Sequence, residues 1–525
     1  MTGTALLPVD NTTHPILGSE LMEWLDAAGA ALRTEVGEDL LDIAGVDVLD
    51  AAFNPLYLRL LARSRGDATP PTRGFTARLH RRLRRELAAA RARLRSAPPA
   101  ASPVVFWPRE PTHLAVQIPT ARAVNARGWR VAFVTSVPAL FSALERADFR
   151  PVSPTAAWPR AMAAAKRQGQ ARAAKLHGAL DLQAVAGRLP EPPISARRDE
   201  LLEALVAELG AQLPEVALAA AAAEALCRVM APAVLVVGND LTLEGRVAAR
   251  VAARHGIATA SLMHGLLARE AMESRHVVDR YLAFGKRTAW LLEEMGLPES
   301  RVAVTGGLHL PPPGDLESRR TSARATVAEG WDLDPERPWI LVATSGAGHG
   351  VSLDHHQGVV AAVSEAARHR PEVDWVIKLH RKDRPELYQE LARRDRFANV
   401  RVISFDEGAR LPILDWIAAT HAVLTGGSTV ALEAMTLGAP VITIDLADEL
   451  VGVDFIEEGA TLHATSVGEL LAAVDMALEA GPQVGRVLGT ASKLADETFH
   501  RPPEGADRRA AEELLNLAET HGGKP

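Results

Sequence analysis

The sequence predicts an α/β protein that contains two Rossmann-like domains and an α-helical N-terminal extension. From residue 103 onward, short β-branched runs alternate with helical stretches, and such βαβ units form parallel sheets with right-handed crossovers. A stiff proline hinge at Pro311–Gly314 separates two sets of these units, as a linker between domains would. The chain has 525 residues, which is long enough for more than one buried core. The predicted domains are residues 1–100 for the extension, 101–312 for the N-terminal Rossmann-like domain with a helical insertion at about 150–230, and 313–525 for the C-terminal domain.

Composition and charge exclude several classes of protein. The formal net charge of -7 argues against a general nucleic-acid binder, so no nucleic-acid partner is expected. The stretch from Val216 to Leu226 comes nearest to the ~20 apolar residues that span a membrane, and Glu224 and Arg228 break it. The first residues lack the basic and apolar regions of a signal peptide, and Cys227 is the single cysteine, so no internal disulfide can form. We therefore expect a cytoplasmic protein.

The N-terminal extension is predicted to be helical from residue 16 to about 97. It includes a basic helix at 73–95, in which Phe75, Leu79 and Leu83 recur every four residues among arginines. The favoured interpretation is a solvated helix whose apolar stripe packs on the neighbouring domain. The alternative is peripheral contact with the inner face of an anionic membrane.

In the first Rossmann-like domain, the candidate residues follow strand ends. Strands are predicted at 104–106, 130–134, 233–237, 258–263, 280–285 and 301–307. Ligands of parallel sheets gather at the carboxyl ends of the strands. Arg109 and His113 follow the first of these strands, Asp240 follows the third, and His264 with Gly265 follows the fourth.

His264 is the first catalytic candidate. An imidazole with an ordinary pKa near 6.5 can accept a proton from a hydroxyl group at neutral pH, which is the work of a general base. Asp240 is predicted either to orient His264 or to serve as the base itself. A structural hydrogen bond is the common alternative for a histidine that follows a strand.

The C-terminal domain begins with a predicted strand at 339–343 that runs into a glycine-rich loop. Gly346 and Gly348 would let the backbone approach a diphosphate, although the spacing is not that of a Walker motif. Alternation along the strand at 374–378 predicts that Lys378 and His380 share a face at its carboxyl end, where they would bind phosphate oxygens. The alternative is an edge-strand cluster of charges. No metal site is predicted at residues 354–356, because adjacent histidines on a helix point about 100° apart.

The stretch from Ala422 to Asp445 predicts a strand, a glycine turn, a helix and a second strand. Gly427, Ser428 and Thr429 lie at the turn, where free N–H groups and the helix dipole favour an anion. Glu433, one turn later, could accept hydrogen bonds from the two hydroxyls of a ribose. The alternative is that Ser428 or Thr429 only caps the helix.

The segment GSTVALEAMTLGAPVI resembles the donor-nucleotide motif of GT-B glycosyltransferases, particularly the bacterial capsule and surface-polysaccharide enzymes. Lys378-Leu379-His380 resembles the K-x-H-P motif of capsule and polyglycerol-phosphate transferases, with Arg381 in the position of the proline. Forms related to the segment GSTVALEAMTLGAPVI occur in the polysialyltransferases. Met263-His264-Gly265 resembles the QHG-like motif of polymer-building transferases, except at Met263. In the related UDP-GlcNAc 2-epimerases this turn carries a catalytic glutamate within an EAG motif, and that glutamate is absent here.

This resemblance, which spans residues 103–480, implies a GT-B fold in which the two domains face each other across a cleft. It implies a nucleotide-sugar donor, a glycan or lipid-linked acceptor, and no metal or other cofactor. The function predicted from the sequence is a glycosyltransferase of surface-polysaccharide synthesis. The alternatives are a polyol-phosphate transferase of the CDP-glycerol type, a sugar-nucleotide 2-epimerase and a non-catalytic nucleotide-sugar-binding protein.

Overall fold

The structure is a computed structural model that forms two compact units. The N-terminal unit combines Pro15–His309 with Glu504–Pro525, and the C-terminal unit contains Leu310–Pro503. The residues that the structure describes are 15–64, 96, 100, 103–193, 197–265, 267, 271–308, 310, 316–344, 353–380, 383, 385–386, 388, 397–447, 450, 454–499 and 505–523. The basic helix at 73–95, the hinge at Pro311–Gly314, and Gly346 and Gly348 were predicted in regions outside these residues.

Within the described residues, the N-terminal unit contains a six-stranded parallel sheet in the order β4-β3-β5-β6-β7-β8. Its central strands are apolar runs that are buried on both faces, as expected for a parallel sheet covered by helices. The chain passes from β3 to β4 and then returns to the other side of β3, so the strand order reverses between β3 and β5. The strands are β3 (Val104–Trp107), β4 (Val131–Phe133), β5 (Val234–Val237), β6 (Ala258–Leu262), β7 (Arg280–Ala283) and β8 (Val302–Val304).

Helices cover this sheet and form the extension. The longest, α10, has the length and composition of a membrane span, but 56% of its most apolar window is buried, and it packs on α8 and α11 as a core helix does. The helices are α1 (Pro15–Val36), α2 (Glu38–Leu41), α3 (Val48–Ala51), α4 (Phe53–Ser64), α5 (Pro111–Asn125), α6 (Phe141–Arg146), α7 (Pro154–Ala157), α8 (Pro159–Ala179), α9 (Leu182–Ala186), α10 (Arg198–Met230), α11 (Leu243–Arg254), α12 (Lys286–Glu294) and, from the end of the chain, α21 (Ala506–Thr520).

Two features of this unit differ from the sequence prediction. The extension is not helical throughout, because β1 (Asp42–Ile43) and β2 (Val46–Asp47) form an antiparallel hairpin. Its two-residue turn has positive φ at both Ala44 and Gly45, the conformation that a tight hairpin requires. The last helix, α21, packs on α5 through an apolar face that includes Ala510 and Leu514. The predicted boundaries placed it in the C-terminal domain, whereas the resemblance to GT-B enzymes also predicts that this terminal helix crosses back over the first domain.

The described part of the C-terminal unit contains a second six-stranded parallel sheet, in the order β11-β10-β9-β12-β13-β14. Here the chain starts at the central strand β9, so the strand order reverses between β9 and β12. The sequence did not predict the last strand, β14, because a strand of three residues is too short to show an alternating apolar and polar pattern. The strands are β9 (Trp339–Ala343), β10 (Asp374–Lys378), β11 (Val400–Ile403), β12 (Ala422–Thr425), β13 (Val441–Ile444) and β14 (Leu462–Ala464).

The helices of the C-terminal unit bury an apolar face against this sheet. Trp375 and Leu424 lie in the core on one side of it, with Val363 of α14 and Val474 of α19. The predicted α/β class with two Rossmann-like sheets is therefore confirmed. The helices are α13 (Leu316–Trp331), α14 (Leu353–His369), α15 (Phe405–Gly408), α16 (Ile413–Ala419), α17 (Thr429–Thr436), α18 (Asp454–Glu457), α19 (Val467–Glu479) and α20 (Pro482–Phe499).

Candidate functional site

In the C-terminal unit, the candidate residues gather where the strand order reverses. Ligands of open parallel sheets bind outside the carboxyl ends of the strands at such a point. Lys378 ends β10 and Thr425 ends β12, and both strands flank β9. The Thr425 hydroxyl donates a hydrogen bond of 2.9 Å to the carbonyl of Ala343 at the end of β9, which ties the turn after β12 to the central strand.

The turn after β12 leads into a capped helix, as the sequence predicts. Ser428 is the N-cap of α17, and its hydroxyl accepts a hydrogen bond of 3.4 Å from the N–H of Val430. Thr429 is the first helical residue, and Gly427 is exposed beside it. The first turn of α17 thus presents N–H groups and its positive dipole at the binding edge of the sheet.

Lys378 and Glu433 lie close enough for their charges to interact. Burial lowers the pKa of Lys378, while the negative charge of Glu433 raises it. Glu433 is only 8% exposed, one turn into α17. The stem of Lys378 packs against Gly408, where an added Cβ would lie 3.0 Å from the Lys378 Cε. An anchored cation, a buried carboxylate and a helix N-terminus therefore share one edge of this sheet.

The backbone of His380 is held in place by Asp383, a residue that the sequence analysis did not identify. The N–H of His380 donates to the Thr344 hydroxyl at 2.8 Å and to the Asp383 carboxylate at 2.5 Å. Thr344 also donates to Asp383, so this carboxylate links the turns after β9 and β10. The side chain of Asp383 has no exposed surface. The sequence shows an aspartate three residues after His380, but only the fold shows that its carboxylate also accepts a hydrogen bond from Thr344.

A buried polar layer lies beneath these turns. His356 contacts the Tyr388 hydroxyl at 2.5 Å and lies 3.3 Å from Asp383, and His355 lies 3.6 Å from Asp445. His355, His356 and Tyr388 line a cavity of about 30 Å³, which is large enough for a water molecule. No group of three or more histidine, cysteine or acidic side chains with the spacing of metal ligands occurs among the residues that the structure describes.

In the N-terminal unit, His264 follows β6 at the carboxyl edge of the sheet. Its ring is partly exposed, and Nδ1 lies 3.4 Å from the carbonyl oxygen of Leu262. A hydrogen on Nδ1 that donates to this carbonyl leaves Nε2 able to accept a proton, as a general base must. The His264 ring also packs edge-to-face against His113, with the ring centroids 4.4 Å apart.

Asp240 does not have the partner that the sequence analysis expected. Its fully buried carboxylate accepts hydrogen bonds from His276 Nδ1 at 2.6 Å and from the N–H groups of Val277 at 2.5 Å and Val278 at 3.1 Å. The expectation that Asp240 orients His264 is therefore corrected. A carboxylate with no exposed surface also has no access to a substrate, so its role here is to hold the segment that leads into β7.

His276 lies between two carboxylates. Its Nδ1 donates to Asp240, and its Nε2 donates to Glu273 at 2.9 Å. Burial lowers the pKa of His276, but the charges and hydrogen bonds of Asp240 and Glu273 outweigh burial and raise the pKa to about 9. Local sequence could not reveal this buried imidazolium, because Asp240 and His276 are 36 residues apart in the chain.

The reversal point between β3 and β5 carries a second buried cluster, centred on Glu244. Its carboxylate accepts hydrogen bonds of 2.7 Å from Trp107 Nε1 and 2.9 Å from Ser136 Oγ, and it pairs with Arg109. Trp107 ends β3 and Arg109 follows it, Ser136 follows β4, and Glu244 lies in the first turn of α11. Sequence analysis missed Glu244 and Ser136, because a helix-start glutamate and a loop serine carry no distinctive local signal.

No protein family and no curated protein matches this chain in sequence. Among solved structures, UDP-GlcNAc 2-epimerase from Neisseria meningitidis bound to UDP-GlcNAc is similar, with a TM-score of 0.50 and 15% identity over 79% of this chain and 99% of that one. A glycosyltransferase from Rickettsia africae has a TM-score of 0.48 and 10% identity over 81% of this chain and 100% of that one. The likeness is one of fold. Together with the two parallel sheets, the likeness to the Neisseria meningitidis enzyme confirms the predicted GT-B class of fold.

Proposed function

We propose that the protein is a metal-independent glycosyltransferase. It moves a sugar from a nucleotide-sugar donor to a glycan or glycoconjugate acceptor in surface-polysaccharide synthesis, and it works in the cytoplasm. The observation that carries the proposal is the edge of the C-terminal sheet where Lys378, Glu433 and the N-terminus of α17 come together. Its chemistry suits a nucleoside diphosphate.

Each group at this edge has a distinct part in donor binding. Lys378 and the N–H groups of α17 bind the phosphates and stabilise the negative charge that grows on the leaving group, which a metal ion does in other transferases. Ser428 and Thr429 add hydroxyl donors beside the helix N-terminus. Glu433 accepts hydrogen bonds from the ribose hydroxyls. His380 adds a hydrogen bond to a phosphate oxygen. Gly346 and Gly348, which lie outside the described residues, are predicted from the sequence to let the backbone approach the diphosphate.

The acceptor chemistry is assigned to the N-terminal unit. His264 removes the proton from the attacking hydroxyl group through Nε2, the ring nitrogen that carries no hydrogen when Nδ1 donates to the carbonyl of Leu262. Asp240 lies fully buried against His276, which favours His264 as the base.

The first experiment is a thermal-shift panel with CMP, CDP, UDP and GDP on the wild-type protein and on Glu433→Gln and Lys378→Met. A ligand at 100 times its Kd stabilises the folded state by about 2.7 kcal/mol, which is readily detected. We expect at least one nucleotide to raise Tm in the wild type and to raise it less in both variants. A panel in which no nucleotide stabilises the wild type would contradict the proposal and favour a protein without this donor site.

A second experiment separates transfer from epimerisation, the activity in the name of the Neisseria meningitidis neighbour. UDP-GlcNAc is the first probe, because that neighbour binds it. A transferase releases UDP and a glycosylated or hydrolysed sugar, whereas an epimerase returns a UDP-sugar of inverted C2 configuration without releasing UDP. Proton NMR of the reaction follows both products. A polyol-phosphate transferase would instead create a new phosphodiester, which ³¹P NMR detects when CDP-glycerol is the donor.

A further inference from the structure

The site in the N-terminal unit contains a second histidine, His113, to which the proposed function assigns no role. It lies in the first turn of α5, just after β3, and it is only 3% exposed. Its ring lies edge-to-face against His264, at an interplanar angle of 77°. Two histidines that are 151 positions apart in the sequence therefore contact each other at the carboxyl edge of one sheet.

The hydrogen-bond geometry assigns the tautomer of His113. The N–H of Arg109 donates to His113 Nδ1 at 3.0 Å, so Nδ1 carries no hydrogen. The neutral imidazole must then carry its hydrogen on Nε2. Burial, the neighbouring His264 and the charge of Arg109 lower the pKa of His113 to about 3, so the ring stays neutral at any pH at which the enzyme would work.

Gly238, at the end of β5, makes room for this arrangement. A Cβ at that position would lie 2.0 Å from His113 Nδ1, which no real structure tolerates. The His113 ring therefore occupies the space that any other residue at 238 would fill. The His113 ring lies between the backbone of β5 and the N–H of Arg109, and these two contacts fix its orientation.

From these contacts we propose that His113 is a positioning residue for His264. It is a neutral imidazole, fixed by Arg109 and Gly238, and its ring sets the orientation of the His264 ring. The inference rests on the proposed function, since it takes His264 as the base. It divides the work between the two histidines: His264 accepts the proton, and His113 holds the His264 ring in place.

Nuclear magnetic resonance tests the tautomer directly. In the full-length protein labelled with ¹⁵N-histidine, we expect the His113 ring to give a signal with hydrogen on Nε2 and none on Nδ1, unchanged from pH 5 to 9. His113→Asn should remove that signal and identify it. A His113 that titrates within this range, or that carries its hydrogen on Nδ1, would overturn the inference.

Two variants separate positioning from a merely structural role. His113→Asn keeps an acceptor for the Arg109 N–H but removes the ring beside His264. His113→Phe keeps a ring there but leaves that buried N–H without its acceptor, so it should lower Tm more than His113→Asn does. If the ring orients the base, His113→Asn should lower the turnover number by at least about tenfold and alter the His264 ¹⁵N signals, while His113→Phe keeps more activity despite its lower Tm.

The controls keep the outcomes distinct. His521→Asn is the matched control, because His521 is exposed at the end of α21 and bonds only locally to the carbonyl of Leu517 at 3.0 Å. Its turnover number and His264 signals should equal those of the wild type. If the loss of activity instead follows the loss of Tm in both His113 variants, or if His113→Asn leaves the His264 signals unchanged, the positioning role is wrong. A wild-type protein that binds no nucleotide but displays the expected His113 and His264 signals would refute the proposed function and leave the contact between the histidines intact.

Discussion

The buried pair of His276 and Asp240 predicts that the N-terminal unit loses stability at alkaline pH. Both ring nitrogens of His276 donate to carboxylates, and only the protonated imidazole has two N–H donors. The pKa of His276 is about 9 in the folded protein. In the unfolded chain, the pKa of a histidine is near 6.5. The folded state thus binds this proton more tightly than the unfolded state.

The sign and size of the effect follow from this difference in pKa. Because the folded pKa is the higher one, the stabilisation is fully present below about pH 6.5 and is lost as the pH rises through about 9. At about 1.4 kcal/mol for each tenfold change in proton affinity, the free energy of unfolding of this region should fall by about 3 kcal/mol over that interval. Glu273→Gln removes one of the two carboxylates and so lowers the folded-state pKa of His276, so the loss should still begin near pH 6.5 but should be smaller and complete at lower pH.

Amide hydrogen exchange, read by mass spectrometry, is the suitable assay because it reports on one region of a protein with two units. The peptide to follow spans Val277 and Val278, whose N–H groups donate to Asp240. After correction for the intrinsic dependence of exchange on pH, its opening free energy should decrease from pH 6.5 to 9.5 in the wild type. An opening free energy that stays constant over this range, or one with the same pH dependence in Glu273→Gln, would refute the reasoning.

Three further predictions concern the candidate sites. Lys378→Met should raise the Kd for the preferred nucleoside diphosphate by roughly tenfold or more in calorimetric titration, because a charge-assisted contact with phosphate is lost. The control Lys493→Met changes a lysine on an exposed helix face and should leave this Kd unchanged. His264→Ala should lower the turnover number by roughly 10²-fold while the Kd for nucleotide stays within about twofold, and an unchanged turnover number would exclude it as the base. Gly238→Ala should lower both Tm and the turnover number, because the added Cβ would lie 2.0 Å from the buried Nδ1 of His113. At Gly330 an added Cβ meets nothing within 4 Å, so the control Gly330→Ala should change neither quantity.

The sequence by itself determined the elements and the edge of the sheet at which the candidate residues lie. Strand and helix patterns are local: β-branched runs end at glycines, Ser428 caps the helix that it begins, and alternation puts Lys378 at a strand end. Because all strands of a parallel sheet end at the same edge, such positions indicate a shared site before the strand order is known. This is why the sequence could predict that Lys378, Ser428 and Glu433 share one edge of the C-terminal sheet.

Only the tertiary structure decided which of these residues touch. Asp240 and His264 follow neighbouring strands, and local patterns favour their pairing, yet Asp240 turns inward to His276 and the ring beside His264 belongs to His113. Those contacts depend on the strand order and on the space that Gly238 leaves. The local pattern of apolar and polar residues predicts neither of them. The energy of a buried carboxylate supplies the physical reason. A buried carboxylate is costly unless charged or N–H groups bind it, and only the fold decides which groups lie beside it. For Asp240 they come from a segment 36 to 38 residues away.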